Sequence, residues 1–493
     1  MELSAETIDF IEQNAEEDVR TLALKAKRVE GVDLPLALTQ IAGRQTARHK
    51  LPTWGMTDGI LYAPHLPLEQ CSSETTARYK ATLVSGESFT DLTAGFGVDC
   101  FFLSTRFRRA TYVERQSLLC DIARHNFPLL MNRIASEIET ELSDKGTSSP
   151  RESAAEEAGR TTIEVVNADC AEYLQRMEKV DCLFIDPARR DVHGRKTVAI
   201  ADCEPDICQL EHLLLQKGET VLIKLSPMLD ITQALRILSS ITDVYVVSVQ
   251  NECKELLLRL SSDKASTDEP QIHCVNLIPR QGHPSVSVGK ATETDANAQL
   301  KGFGQLKDFV SMKGSYQLEN SDQLKGSNQP KESSTCSNGI VPLYILPNGV
   351  KVYCSSFSFT PREETSASIA YTDVVGHYLY EPNTSLLKAG AHNSVGIRYG
   401  LQKLHPNSHL YTGDTLLPDF PGRCFIVEQT WGFSKKELKA MAALRQANVT
   451  IRNFPSSVND LRKKFHLTDG GDTYLFATTL SSGEKALIQC RKA

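Results

Sequence analysis

Apolar residues recur along this chain in two rhythms. Near the N-terminus, Ile8, Ile11, Ala15, Val19 and Leu22 fall on one helical face and Ser4 can cap the start, which predicts a helix over 4–26. A second helix is predicted over 35–47, running into Arg44, Arg48, His49 and Lys50 ahead of Pro52 and Trp54. That basic cluster reads as a solvated helix end, where cations oppose the helix dipole, or as a nucleic-acid contact. From residue 89 the rhythm changes. Short apolar runs stand at Phe89–Leu92, Ala110–Val113, Ile163–Val166, Cys182–Ile185, Val221–Leu225, Val244–Val249 and Leu256–Leu260, with helical stretches between most of them. Such alternation predicts an α/β fold, a parallel sheet with crossover helices. Only the polar Gln250–Glu255 separates the last two runs, too little for a crossover, so they are expected to form an antiparallel hairpin.

Two stretches break the pattern. Residues 143–160 are rich in Ser, Glu and Ala and read as a loop extension. Residues 279–337 are rich in Ser, Gln, Lys, Asn and Gly and read as a flexible linker or insertion. Order returns over 340–420, with short strands, Gly- and Pro-punctuated loops and a helix near Asn383–Gly390. Residues 423–493 read as a compact unit: strand Cys424–Glu428, a helix opened by a Ser434/Glu437 capping box, strand Val449–Arg452, a helix near Ser457–Phe465, and strands Tyr474–Thr478 and Ala486–Cys490. The expected division is an N-terminal helical region (1–69), an α/β domain (70–278), the linker (279–337), a small α+β connecting domain (338–422) and a basic α/β domain (423–493).

Length fits this division, because 493 residues exceed one ordinary core. The net charge of −7 advertises no polyanion partner. Residues 423–493, however, hold 12 Lys and Arg against 6 Asp and Glu, so a basic patch is local. The 13 cysteines include no Cys-x-x-Cys pair, which suits free thiols in a reducing compartment better than disulfides or a metal site. No metal is expected. No basic-then-apolar leader opens the chain and no apolar run approaches the ~20 residues that span a bilayer, so a soluble, cytoplasmic protein is expected.

The chemistry concentrates at strand ends. Asp91-Leu92-Thr93-Ala94-Gly95-Phe96-Gly97 follows a strand and precedes a helix, so its glycines allow a tight turn and close approach of a ligand. The third glycine of a dinucleotide fingerprint is missing and no Gly-Lys-Ser/Thr follows. An anionic Asp91 disfavours a pyrophosphate and favours a cationic or amine-bearing ligand. Glu114, 23 residues past Asp91, ends the next strand where a carboxylate takes ribose hydroxyls, a reading favoured over an exposed helix-start glutamate because the strand–turn–helix context fits. Asp169 in Asn167-Ala168-Asp169-Cys170 and Asp186 in Asp186-Pro187-Ala188-Arg189-Arg190 end two further strands. Acidic strand ends on one sheet converge at one edge.

With these motifs in order, residues 70–262 resemble the class I S-adenosylmethionine (SAM)-dependent methyltransferases. The resemblance implies a mostly parallel seven-stranded Rossmann-like sheet with an antiparallel last strand. It implies that Asp91, Thr93, Ala94, Gly95, Phe96 and Gly97 cradle the methionine part of SAM, that Glu114 with Arg115 holds the ribose, and that Asp169 and Cys170 meet the adenine. Asp186 and Pro187 would open the catalytic loop, and Gln70–Thr75 would lie close to the cofactor. Asp186-Pro187-Ala188-Arg189-Arg190, Lys224-Leu225-Ser226-Pro227-Met228 and the basic unit after 423 are similar, more narrowly, to a bacterial group with a THUMP-like C-terminal domain. THUMP domains accompany RNA-modifying enzymes, so tRNA or rRNA becomes the expected partner by analogy.

Base N-methyltransferases carry Asp/Asn-Pro-Pro-aromatic at this loop, whereas this chain has Ala188 and Arg189, whose guanidinium could stack on a base instead. RNA pyrimidine-C5 enzymes need a cysteine after the fifth strand, and Ser226 stands there, so direct SN2 N-methylation ranks above C5 methylation. Asp186 would orient or deprotonate the acceptor. Lys224 and Arg189 would hold a phosphate or carbonyl, although a strand-end lysine also snorkels to water. Arg190, Arg195, Lys196, Arg462, Lys463 and Lys464 are candidate phosphate contacts, or ordinary solvated charges. A methyltransferase for protein or small molecules, and a non-catalytic SAM- or RNA-binding protein, stay open.

Overall fold

The computed structural model describes residues 3–25, 29–143, 161–189, 200–263, 269–281, 342–434, 437, 441 and 444–493. Its N-terminal region is helical: α1 (Ala5–Gln13), α2 (Val19–Lys25), α3 (Leu34–Lys50), α4 (Pro52–Gly55), α5 (His65–Gln70) and α6 (Glu74–Ala81). The single helix expected over 4–26 is therefore two. Ser4 does cap the first, accepting from the Thr7 amide. The polar run Glu16-Glu17-Asp18 interrupts the apolar face, and Asp18 Oδ1 accepts from the Thr21 amide at 2.8 Å to start the second helix. The basic end of α3 has internal partners. Arg48 pairs with Glu16, and Lys50 Nζ donates to the carbonyls of Leu68 and Glu69.

Next come β1 (Ser88–Asp91), α7 (Val98–Ser104), β2 (Arg109–Glu114), α8 (Ser117–Ser143), β3 (Thr162–Asn167), α9 (Cys170–Arg176), β4 (Val180–Ile185), β5 (Ala188–Arg189), β6 (Cys203–Glu204), α10 (Ile207–Lys217), β7 (Gly218–Leu225), α11 (Ile231–Ile237), β8 (Ile241–Val249) and β9 (Glu252–Ser261). Every strand expected between 89 and 260 is present. Neighbours run β3-β2-β1-β4-β7-β9-β8, parallel throughout except for β9, which is antiparallel to both β7 and β8. Gln250 and Asn251 both take positive φ, as a two-residue hairpin turn requires. Parallel strands covered on both faces must be apolar along their length. Leu183, Ile185, Val221 and Ile223 pack into one face, and Phe89, Phe184 and Leu222 into the other. One consequence positions the site: the C-terminal tips of β1, β2, β3, β4 and β7 share one edge.

The sheet does not stop at seven strands. β10 (Gln271–Arg280) runs parallel to β8, β12 (Lys351–Phe359) pairs antiparallel with β10, and β11 (Tyr344–Ile345) closes the edge, making ten. This corrects two expected boundaries. Pro279 and Arg280 belong to a strand rather than a linker, and 344–359 belong to the first sheet rather than to a connecting domain. The apolar alternation of β10 and β12 needs a partner edge, and β8 supplies one. The rest of the expected linker, 282–337, and the expected loop at 144–160 lie outside the described residues.

After α12 (Pro361–Ser366), a second sheet of seven strands holds β13 (Tyr378–Pro382), β14 (Gln402–Lys403), β15 (Tyr411–Gly413), β16 (Gly422–Gly432), β17 (Asn448–Arg452), β18 (Thr473–Thr479) and β19 (Lys485–Lys492), in the order β14-β15-β13-β16-β19-β18-β17. Its helices are α13 (Thr384–Ala389), α14 (Ser394–Arg398) and α15 (Val458–Phe465). The β13–β16 ladder crosses the boundary expected at residue 423, so both sides share one sheet. Glu437 accepts from the Gly432 amide and pairs with Ser434 as the capping box predicts; most of the helix expected after it lies outside the described residues. α13 lies against β8, β9 and β10. Asn251 at the hairpin tip fixes it by accepting from the Thr384 amide at 2.8 Å, and Lys388 Nζ donates to the Leu229 carbonyl at 2.8 Å.

Candidate active site

The turn after β1 is built by its own side chains. Asp91 is buried, and its Oδ1 accepts from the Thr93 amide at 3.0 Å. Thr93 Oγ1 accepts from the Asp186 amide at 2.7 Å, tying this turn to the tip of β4. Ala94 donates its amide to the Val113 carbonyl, and Phe96 packs against Trp54. Gly97 has φ +86, and a Cβ there would stand 2.8 Å from Phe127 Cζ, so both conformation and space demand glycine. Gly95 has φ +55 and an open face, its nearest non-neighbouring atom being the Thr93 carbonyl at 4.0 Å. Glu114, at the end of β2, braces the loop: Oε2 accepts from the Gly95 amide at 3.1 Å and Oε1 from the Gln116 amide at 2.8 Å.

Beneath the loop lies a chain of alternating charges. Glu255 in β9 takes Lys80 Nζ of α6 on both oxygens, at 2.7 and 2.8 Å. Lys80 also meets Asp99, in the first turn of α7, at 3.2 Å. Asp99 Oδ2 accepts from Ser72 Oγ at 2.7 Å and from Lys224 Nζ at 3.3 Å, and Lys224 reaches Asp186 Oδ2 at 2.6 Å. Lys80, Asp99 and Glu255 are buried, while the Asp186 side chain is 37% exposed, so the network surfaces there. Burial alone would raise the Asp99 carboxyl; Lys80 and Lys224 overcome it and hold the group below its ordinary value. Burial would likewise lower Lys224, but Asp186 and Asp99 push it well above the usual range. Asp91 goes the other way. Burial raises it far above 3.8, and the nearby carboxylates of Asp99 and Asp186 raise it further.

The structure thus brings Asp91, Thr93, Gly95, Glu114, Asp186 and Lys224 to one sheet edge. Lys224 is held by Asp186 and Asp99 rather than turned out to water. Asp169 is exposed and caps α9, its Oδ1 accepting from the Ala171 and Glu172 amides. Cys170 follows it, its thiol pushed up to about 12 by burial and then by Asp169 and Asp91. Arg115 points to Glu204, 4.0 Å away. Pro187 is buried, and Arg189 lies in β5, paired with Cys203 of β6. Arg190, Arg195 and Lys196 lie outside the described residues. In α15, beside the second sheet, Arg462 pairs with Asp469, Lys463 is exposed and Lys464 lies 4.2 Å from the Phe433 ring centroid. Sequence reasoning missed Lys80, Asp99 and Glu255. Asp99 carried a signal, a lone acid inside Val98–Leu103; Lys80 and Glu255 are 175 residues apart and carried none.

The residues present fit SAM. Asp91 Oδ2 is buried with no partner, an acceptor facing no donor, as a carboxylate that receives an ammonium would be. Gly95 leaves the turn open to close approach, and Glu114 ends β2 beside it. A sheet in this strand order, with one antiparallel strand inserted, a glycine turn after the first strand and acids at the following tips, is the architecture of a class I methyltransferase. The comparisons agree. A solved protein from Porphyromonas gingivalis W83, described as a candidate methyltransferase, is 30% identical, with 99% of this chain and 97% of that chain covered and a TM-score of 0.71. Residues 378–421 match a ferredoxin-like domain and residues 422–492 a THUMP domain-like family. M. capricolum TrmK in complex with S-adenosyl-homocysteine is 10% identical over 38% of this chain and 68% of that one, with a TM-score of 0.25. An rRNA methylase from Streptococcus thermophilus is 12% identical over 40% of this chain and 98% of that one, with a TM-score of 0.23. No curated protein matches the chain in sequence. The protein belongs to the family of the P. gingivalis protein, class I SAM-dependent methyltransferases that end in a THUMP-like domain. Among the described residues no helix is long and apolar enough to cross a membrane, and no cluster of three or more metal-ligating side chains occurs.

Proposed function

We propose that this enzyme methylates RNA, a tRNA or rRNA, at a base nitrogen, with Asp186 orienting the acceptor. The observation that carries the reading is the place of Asp186: beside the glycine turn, its amide fixed by Thr93, one oxygen fixed by Lys224, and its side chain the half-exposed end of an otherwise buried network. Asp91, Gly95 and Gly97 would hold the methionine part of SAM, Glu114 the ribose, and Asp169 with Cys170 the adenine. When bound, SAM supplies a sulfonium-activated methyl group open to direct displacement.

The remaining work falls to the chain. Asp186 accepts a hydrogen bond from the acceptor amine, aims its lone pair and takes up its proton as the new bond forms. Lys224 keeps the carboxylate in one position. Nitrogen is favoured over pyrimidine C5 because Ser226, not a cysteine, stands after β7 where the C5 nucleophile would be. Burial pushes Cys71 and Cys170 up, and Ser226, in the place of the C5 nucleophile, accepts from the Met228 amide in a turn. RNA is supported by the ferredoxin-like and THUMP-like domains and by the basic excess after residue 423.

The test is transfer of labelled methyl from SAM to cellular RNA fractions, with protein and small-molecule fractions alongside. The reading expects label in RNA, lost in Asp186→Ala while SAM affinity stays. Label confined to protein or small molecules would overturn the RNA assignment.

A further inference from the structure

We propose that Lys403, His392 and His409 form a binding site for a phosphate group in the ferredoxin-like domain, apart from the glycine turn. Lys403, in β14, is 2% exposed, yet among the described residues its ammonium makes no ion pair and no hydrogen bond; it stands 5.9 Å from the centroid of the Tyr411 ring. An unpaired buried cation is costly, and such groups are normally paired. The Tyr411 hydroxyl donates to the His392 carbonyl, and the Lys403 charge acts on both the His392 and His409 imidazoles.

His392 stacks on His409 with centroids 3.8 Å apart and planes 23° from parallel. Both Nδ1 atoms are buried without a partner, and neither ring hydrogen-bonds to a described residue. His409 also holds φ +52, a conformation that costs a non-glycine residue about 1–2 kcal/mol and is kept mostly where function needs it.

The surroundings add positive field, and their acids are engaged elsewhere. Arg452 reaches Glu381 with Nη2 at 2.7 Å, but its Nε is buried and unpaired. Burial first, then His392, Lys403 and Arg452, bring the His409 imidazole down to about 4. The nearby acid, Glu364, is already engaged: it accepts from the amides of His392, Asn393 and Ser394 and from Ser394 Oγ. Glu364 offsets part of the Lys403 charge, but no described acceptor bonds to the Lys403 ammonium or to either ring, and a phosphate supplies several acceptor oxygens. A cation would meet Lys403 and Arg452 and be repelled.

The site is independent of the methyl-transfer reading and is tested without it. Inorganic phosphate is titrated into the full chain, following the histidine ring resonances and binding heat, for wild type, Lys403→Met and His409→Asn. Asparagine is chosen because it tolerates positive φ, which keeps the test open if the lysine variant misfolds. The wild-type rings should shift with phosphate, and each variant should weaken binding by about tenfold or more. The same proteins then meet a 5′-phosphorylated oligoribonucleotide and its unphosphorylated twin. Weakening of the oligonucleotides as well assigns the phosphate to RNA; weakening of inorganic phosphate alone assigns it to a small ligand. Ring resonances indifferent to phosphate, with both variants binding every probe as wild type does, would overturn the proposal.

Discussion

Two clusters of titratable side chains sit in this molecule, and they are built on opposite rules. Under the glycine turn, Glu255, Lys80, Asp99, Lys224 and Asp186 alternate in sign and each touches its neighbours. In the second sheet, Lys403, His392 and His409 gather with no acid bonded to any of their side chains. A closed network satisfies its own charges, so it can hold one group, Asp186, in a set position. An open cluster is unsatisfied by protein and so favours a ligand. The difference is one of pairing.

Removing single members should break the comparison most clearly. Asp186→Ala should cost about 10²–10⁴-fold in methyl transfer, the range for a positioned acid or base, with the fold intact. Lys224→Met leaves Asp186 without its cation and Asp99 with Lys80 and Ser72 alone; because Asp186 is partly exposed, the cost should be about 1–3 kcal/mol of stability by chemical denaturation, below that of breaking a fully buried pair. A companion Asp99→Asn should recover part of it in a double-mutant cycle. Lys403→Met is the counterpart on the open side and should melt no lower than wild type. Burial holds the Lys403 ammonium below its ordinary 10.5, so its charged form penalises the fold below that pH and the substitution lifts the penalty.

Asp91→Asn separates stability from binding. Because burial raises the Asp91 carboxyl above 3.8, the native state binds this proton more tightly than the unfolded chain, and stability is lost as pH rises through that window. The asparagine variant should therefore gain melting temperature relative to wild type as pH climbs above 3.8, while its affinity for SAM falls. The smallest effect is expected from Lys464→Ala, where loss of the cation over Phe433 costs about 0.5–1 kcal/mol at an exposed site and, if α15 meets RNA, reduces the salt slope of binding by about one.

The strands of the first sheet were legible because each is a short apolar run bounded by polar residues, and the glycine turn because Asp91, Gly95 and Gly97 stand at fixed offsets from one of them. The hairpin followed from the shortness of Gln250–Glu255. What one sequence hides is pairing at long range. Nothing local says that β10 and β12 extend the sheet, because an edge is recruited by whatever strand reaches it. Nor does Lys224 announce that it belongs to Asp186 and Asp99, since a lysine at a strand end looks alike whether it faces water or a carboxylate. The histidine pair was invisible for the same reason: His392 and His409 lie on separate loops, brought together by the Tyr411 bond to the His392 carbonyl.

The most direct measurement is calorimetric titration of SAM and S-adenosylhomocysteine into wild type and Asp91→Ala. The account predicts binding of both by the wild type and loss of binding in the variant, because Asp91 Oδ2 is the buried acceptor without a donor. A folded wild type that takes up neither, or a variant that binds both equally well, would contradict the assignment of the glycine turn as the cofactor site.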